Sequence, residues 1–214
     1  MTTLIVIAKE PLPGKAKTRL HPPLSLDQAA QLAAVAIDDT LAAVSALPAT
    51  RRILLFDGAR VPASAADYEL MPQSSGDLDE RLAAAFDACV GPTLLVGMDT
   101  PQVIRRDLAP VFAESGVDAW FGPANDGGFW ALGMREPRGD LIRGVQMSSD
   151  DSGERQLARL TAIGWSIGML TPLTDVDTYA DALEVAAVAP HIGFARLLSR
   201  FAAQVEVADR APAR

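Results

Sequence analysis

An α/β fold around a mostly parallel sheet is the class this sequence predicts, on three observations. Apolar runs of strand length recur along the chain, helical patterns alternate with them, and the longest helical pattern opens on a capping box. Strands joined through helices need crossover connections, and these favour parallel neighbours. At 214 residues the chain matches one such domain with a well-filled core. We expect that domain over residues 1–207 and a frayed tail over 208–214, where apolar periodicity is lost.

The first strand is Leu4 to Ala8, and an eleven-residue loop from Lys9 to Arg19 follows it. The first helix spans Leu26 to about Ala46, where Ser25 and Gln28 supply the S-x-x-Q box that satisfies free amides at a helix start. A second strand covers Ile53 to Phe56. A second helix covers Leu78 to Val90, with Asp77 and Glu80 spaced as another capping box. Strands at Thr93 to Gly97, Ala119 to Phe121, Phe129 to Gly133 and Ser166 to Leu170 follow. Helices are expected at Leu108 to Ser115, Gly153 to Ile163, Tyr179 to Val188 and Ile192 to Val205.

Composition narrows the function. A net charge of -8 argues against nucleic acid and anionic membrane as partners, since both reward a broad basic face, and the 6% aromatic share is low for a base-stacking surface. The single cysteine, Cys89, permits no intrachain disulfide and suits a buried structural thiol. The apolar N-terminal run is too short to cross a bilayer and lacks a preceding basic region, so a cytoplasmic location is the expectation.

In a parallel α/β sheet, ligands bind beyond the carboxyl ends of the strands. Four loops there carry candidate chemistry. The first, KEPLPGKAKTR, sets Lys9, Lys15, Lys17 and Arg19 against Glu10 alone in an otherwise acidic chain. It has neither the dinucleotide fingerprint G-x-G-x-x-G nor the Walker A spacing. Pro11, Pro13 and Gly14 constrain the backbone at defined points, which suits a loop ordering cationic groups around a di- or triphosphate. A solvated surface loop is the competing reading.

The second loop places Asp99 directly after a strand, in Gly97-Met98-Asp99-Thr100-Pro101. One or two carboxylates together with phosphate oxygens and water suit Mg²⁺, and a plain turn residue is the alternative. In the third loop, Asp175 and Asp177 are two apart and on extended backbone would face one side as a carboxylate pair, although Asp177 or Thr178 would equally cap the next helix. The fourth, Gly122 to Gly128, contains Asn125, Asp126, Gly127 and Gly128 and reads as a ligand-contacting turn or an ordinary hairpin turn.

Together, PGKAKTRL at Pro13, GDLDER at Gly76, GMDTP at Gly97, GPANDGGFWALG at Gly122 and DVDTYAD at Asp175 resemble the small bacterial GT-A-fold proteins of the nucleotide-diphosphosugar transferase superfamily, a glycosyltransferase-like or nucleotidyltransferase-like group of the DUF2064 kind. The resemblance runs over about residues 3 to 185. It implies a three-layer α/β/α sandwich and a divalent metal, Mg²⁺ or Mn²⁺, between protein and nucleotide phosphates. On matching positions it implies Lys9, Gly14, Lys15, Lys17 and Arg19 at the phosphates, and Gln73, Gly76 and Asp77 at base or ribose. Asp99 and Asp177 would hold the metal, while Asn125, Asp126, Gly127 and Gly128 would face the acceptor or sugar. The implied partners are a nucleotide or nucleotide sugar and a small-molecule acceptor. The chain departs from the group at Asp79, where glycine is usual, at Met147-Ser148-Ser149, where Trp-Ser-Thr is usual, and at Phe129-Trp130 in place of tyrosines.

Two reactions suit such a scaffold. Nucleotidyl transfer from an NTP would use Lys15, Arg19 and the metal at Asp99 to stabilise charge on the transferring phosphate and departing pyrophosphate. Glycosyl transfer from an NDP-sugar would need a base near the acceptor, and Asp126 is the candidate. The cationic density of the first loop favours nucleotidyl transfer. A non-catalytic nucleotide-binding module would be expected to have lost the metal carboxylates, and both are present.

Overall fold

A computed structural model describes residues 2–113, 116–147 and 149–210. Its strands are β1 (Thr3–Lys9), β2 (Arg51–Asp57), β3 (Glu69–Pro72), β4 (Thr93–Gly97), β5 (Ala119–Pro123), β6 (Phe129–Met134) and β7 (Ile167–Met169). They form one sheet in the order β3-β2-β1-β4-β6-β5-β7. All pairings are parallel except those of β6, which runs against β4 and β5. The mostly parallel sheet is as expected, with one reversal where a hairpin over 124–128 replaces a crossover.

Among the described residues six α-helices accompany the sheet: α1 (Leu26–Ser45), α2 (Leu78–Asp87), α3 (Arg105–Phe112), α4 (Ser152–Ala162), α5 (Tyr179–Val188) and α6 (Gly193–Arg210). Alternation along the central strands sorts them into layers. Leu4, Val6 and Ala8 of β1 join Ile37, Leu41 and Val44 of α1 and Leu108 of α3 on one face. Ile5 joins Leu82, Ala83 and Phe86 of α2 and Leu160 of α4 on the other. The result is the three-layer α/β/α sandwich. A further cluster ties α1 to α5 and α6 through Leu32, Val185, Phe194 and Leu198, and Asp39 of α1 accepts the first amides of α6, from Gly193 at 3.0 Å and Phe194 at 2.7 Å.

Helix ends follow local chemistry. Ser25 and Gln28 form their capping box, with bonds of 3.2 and 2.8 Å. Arg52 closes the other end of α1 by donating to the carbonyls of Ser45, Leu47 and Ala49. The box expected from Asp77 and Glu80 does not form: Asp77 stands at the N-cap of α2 without a side-chain bond, because Glu80 turns outward to Arg143 at 2.9 Å. Helix α2 stops at Asp87, short of Val90, where Gly91 takes a left-handed φ of 77° ahead of Pro92. Cys89, just past the helix, is a free buried thiol. Helix α3 starts one turn earlier than expected, with Asp107 accepting the Ile104 amide, and the expected end at Ser115 lies outside the described residues.

Edge strand β3 is not an apolar run, and its residues are largely exposed, so no hydrophobic pattern marks it. Helix α6 continues through Arg210, past the expected start of the tail, and residues 211–214 lie outside the described residues.

Candidate active site

The strands β1 and β4 are hydrogen-bonded neighbours, so the loops leaving them sit side by side. The β1 loop is pinned by Ala16 and Leu20, both fully buried, with Ala16 donating to the Leu12 carbonyl at 3.1 Å. Between these anchors Lys17 takes a left-handed backbone conformation, φ 50° and ψ 39°, the one such non-glycine residue among those described. That conformation is costly for a long side chain and marks a constrained position. A short 3-10 turn, Thr18–Leu20, follows. Glu10, the lone anion of this loop, faces away and accepts the Ala59 amide at 2.8 Å.

The third acidic loop reaches the same place through backbone pairing. Val176 donates to the Asp99 carbonyl at 2.9 Å, Gln102 donates to the Thr174 carbonyl at 2.7 Å, and Leu173 pairs alongside Ala124. Thr178 caps α5 with Asp181, whose carboxylate also accepts from the amides of Asp177 and Thr178. Asp177 is thereby left with its own side chain free to face the β1 loop.

At the junction, Lys17 Nζ lies 2.7 Å from Asp99 Oδ1 and 3.2 Å from Asp177 Oδ1, and Arg19 Nη1 lies 3.4 Å from Asp177 Oδ2. The Lys17 side chain is 7% exposed and that of Arg19 73%. Burial by itself would lower the Lys17 pKa, but Asp99 and then Asp177 outweigh it, so the ammonium is held charged above its ordinary range. Two aspartates thus converge on one cation.

Asp175 stands beside this group. Its pKa is pushed up to about 7, first by burial and then by the charges of Asp99 and Asp126, with Lys17 partly opposing them and Asp177 adding. Its Oδ1 is buried and has no hydrogen-bond partner, as is the hydroxyl of the fully buried Thr100. Asp175 and Asp177 do not share a cation as the extended pair would, since the Lys17 contacts run to Asp177 and Asp99.

Across the cleft, Gln73 is held rigidly: its amide nitrogen donates to the carbonyls of Ala8 and Leu55, and its oxygen accepts from Arg81 at 3.0 Å. Arg81 faces the cleft from α2. Asp79 points elsewhere and accepts the Gly144 amide at 2.7 Å, so this departure from the resembling group serves packing.

The hairpin loop also has local work. Asp126 accepts the Gly128 amide at 2.9 Å, and Asn125 donates to Thr174 at 2.8 Å. A side chain at Gly127, where φ is 90°, would strike the Asp150 carbonyl, and one at Gly153 would strike the carbonyls of Gly127 and Gly128. The double glycine therefore permits close packing on the start of α4, the same freedom expected of it for a ligand. Trp130 is buried and donates to the Thr171 carbonyl at 3.1 Å, whereas Phe129 packs on Phe121.

A cleft of about 670 Å³ joins these features. Of the sequence candidates, Lys9, Arg19, Gln73, Asp99, Asp126, Gly128 and Asp177 line it, while Gly14, Lys15, Lys17, Gly76, Asp77, Asn125 and Gly127 do not. Lys15 is exposed, and the Lys17 side chain is nearly enclosed against its carboxylate partners. Arg81, Thr100 and Asp175 line the cleft in addition. Arg81 was visible only as the last letter of GDLDER, and Thr100 only as the residue after Asp99. Met147 and Ser149, from the variable stretch, are on the wall, and Ser148 lies outside the described residues.

The donor set fits Mg²⁺ or Mn²⁺. The Lys17 ammonium marks a point that two carboxylates already share, and hard oxygen donors suit these ions. Among the described residues no three His, Cys, Asp or Glu side chains form a metal site alone, so a bound ion would need oxygens from ligand and water as well. Among the described residues no helix is long and apolar enough to cross a membrane.

The model of the family "Uncharacterized protein conserved in bacteria (DUF2064)" matches residues 31–149, and the chain belongs to this family. No curated protein matches the chain by sequence. Among solved structures, the chain is similar to a protein from Desulfovibrio desulfuricans G20 assigned to the nucleotide-diphospho-sugar transferases, with 23% identity, 96% of each chain covered and a TM-score of 0.82. A Methanothermobacter nucleotidyl transferase shares 16% identity over 92% of this chain and 98% of its own, at a TM-score of 0.61. Glucosyl-3-phosphoglycerate synthase from Mycobacterium tuberculosis, solved with Mn²⁺, UDP and glucosyl-3-phosphoglycerate, shares 11% over 90% of this chain and 80% of its own, at 0.50. The fold is that of the nucleotide-diphospho-sugar transferases.

Proposed function

We propose that this chain is a divalent-metal-dependent nucleotidyltransferase, moving a nucleotidyl group from an NTP to a phosphorylated or hydroxyl acceptor with release of pyrophosphate. The observation that carries the reading is the meeting of a cationic loop with Asp99 and Asp177 at the edge of a cleft. Asp99 and Asp177 would hold Mg²⁺ or Mn²⁺, which when bound supplies positive charge against the phosphates. Lys9, Lys15, Lys17 and Arg19, with the Gly14 turn, would orient the triphosphate and neutralise charge on the leaving pyrophosphate. Gln73 and the Gly76-Asp77 turn would border the base and ribose, with Gln73 already fixed by Ala8, Leu55 and Arg81. Asn125, Asp126, Gly127 and Gly128 would border the acceptor.

Glycosyl transfer from an NDP-sugar is the second reading. It draws support from the fold shared with a glucosyl synthase solved with UDP and Mn²⁺, and from Asp126 on the cleft wall as a base for an acceptor hydroxyl. Cation density in the first loop favours the NTP.

Thermal shift with NTPs, NDPs and NDP-sugars, with and without Mg²⁺, decides between them, because a ligand of the native state raises apparent stability. Metal-dependent stabilisation by one NTP above its NDP-sugars is expected. The opposite ranking would transfer the assignment to glycosyl transfer, and no shift from any nucleotide would favour a non-catalytic module. Asp99→Asn should remove Mg²⁺-dependent nucleotide binding while the circular dichroism spectrum stays that of the parent, and unchanged binding would take Asp99 out of the site.

A further inference from the structure

We propose that Lys17 holds, in the ligand-free protein, the place that a divalent cation takes when metal and nucleotide bind, and that the two exchange there. This rests on the reading of Asp99 and Asp177 as metal carboxylates and extends it by giving one loop residue two successive partners.

The geometry is that of a filled cation position. Lys17 Nζ touches one oxygen of each aspartate, and Arg19 touches the remaining side of Asp177. Two carboxylate charges therefore face two side-chain cations from one loop, and one divalent ion carries the charge of both. An ammonium and a divalent ion cannot share the same carboxylate oxygens, because like charges at contact distance repel strongly in a partly buried site. The divalent ion attracts each carboxylate more strongly, and lysine's flexible stem with three rotatable donors lets it turn to new acceptors.

Polyphosphate oxygens are acceptors of that kind. When metal and nucleotide bind together, Lys17 and Arg19 would leave the aspartates and turn to phosphate oxygens. With metal alone, the Lys17 ammonium would give up its carboxylate partners for water only. The exchange therefore makes metal affinity conditional on the nucleotide, through a coupling between two ligands that is reciprocal. The anchors Ala16 and Leu20 on either side of Lys17 keep the loop in place while its side chain turns.

The test counts bound Mn²⁺ from the electron paramagnetic resonance signal of the free ion, without nucleotide. Lys17→Met removes the competitor and should bind Mn²⁺ about tenfold more tightly than the parent. Lys17→Arg, which keeps a charge, should gain little. Unchanged or weaker Mn²⁺ binding in a folded Lys17→Met protein overturns the exchange and leaves the metal site standing. Absence of Mn²⁺ binding in parent and variant, with or without nucleotide, overturns the metal reading and the exchange together. The parent protein supplies a second measurement independent of how the variants fold. Under limited reductive methylation read by mass spectrometry, Lys17 should react more slowly than Lys9 and Lys15, and saturating Mn²⁺ should raise its reactivity several-fold. A Lys17 reactivity unmoved by bound Mn²⁺ overturns the exchange.

Discussion

Lys17 and Arg143 each bridge a pair of carboxylates, and they differ in almost everything else. Arg143 reaches Glu80 at 2.9 Å and Asp87 at 3.1 Å, with all three side chains more than 40% exposed. Lys17 reaches Asp99 and Asp177 at similar distances but is itself nearly enclosed. The Arg143 group fastens α2 to the segment after residue 139, where Asp87 also accepts the Gly139 amide. The Lys17 group ties the loop after β1 to two acidic loops that the main chain already joins to each other, since Val176 donates to the Asp99 carbonyl. The same ionic motif is thus open to water on every member at Arg143, whereas at Lys17 the cation is enclosed and its carboxylates keep contact with solvent.

The comparison can be broken most directly by removing each cation. Without metal, Lys17→Met should lose about 2 kcal/mol in urea denaturation, less than a fully buried pair would cost because both aspartates keep some solvent. Arg143→Met should leave the midpoint unchanged within error, as exposed pairs contribute little. Equal losses would erase the distinction. Added Mn²⁺ should restore the first variant and leave the second untouched.

A smaller effect concerns Asp175. Its folded pKa of about 7 lies above the ordinary carboxylate value, so its protonated form is stabilised by folding and stability falls as pH rises from about 4 through 7. Asp175→Asn should therefore raise Tm by several degrees at pH 8 and by distinctly less at pH 5, measured by calorimetry. An equal gain at both pH values would place the effect in packing. Weaker again is salt: 0.5 M NaCl should abolish any stabilisation from the Arg143 pairs while sparing the Lys17 cluster, which a paired denaturation series on both variants reads. Least of all, Asp79→Ala should lower Tm by only about a degree, for one exposed hydrogen bond, and leave nucleotide binding unchanged.

Much of this was readable from residues alone, where a single physical rule dominated. Thr93–Gly97 and Tyr179–Val188 have the bounds that their patterns predict, and Ser25 caps α1 as its spacing requires. Strand β3 carries no apolar pattern because it is an edge whose stability comes from backbone pairing with β2. The Asp77 and Glu80 spacing failed because a tertiary partner, Arg143, competed for Glu80. At the cleft, charge type and strand-end position single out Asp99, Asp177, Lys9 and Arg19, which line it. They did not distinguish exposed Lys15 from buried Lys17, which depends on which loop residues anchor in the core. Asp175 gained its unusual environment from Asp99 and Asp126, distant in sequence, and Arg81 its orientation from Gln73.

Backbone contact without intervening side chains, at Gly127 and Gly153, has a mechanical meaning. Where Gly153 donates to the Gly127 carbonyl at 2.9 Å, there is no compressible layer between the β5-β6 hairpin and the start of α4. Any tilt of that helix is handed at once to Asp126 and Phe129. The hairpin and the start of α4 therefore form one unit on the cleft wall, while the loop from Pro11 to Arg19 is anchored separately, at Ala16 and Leu20.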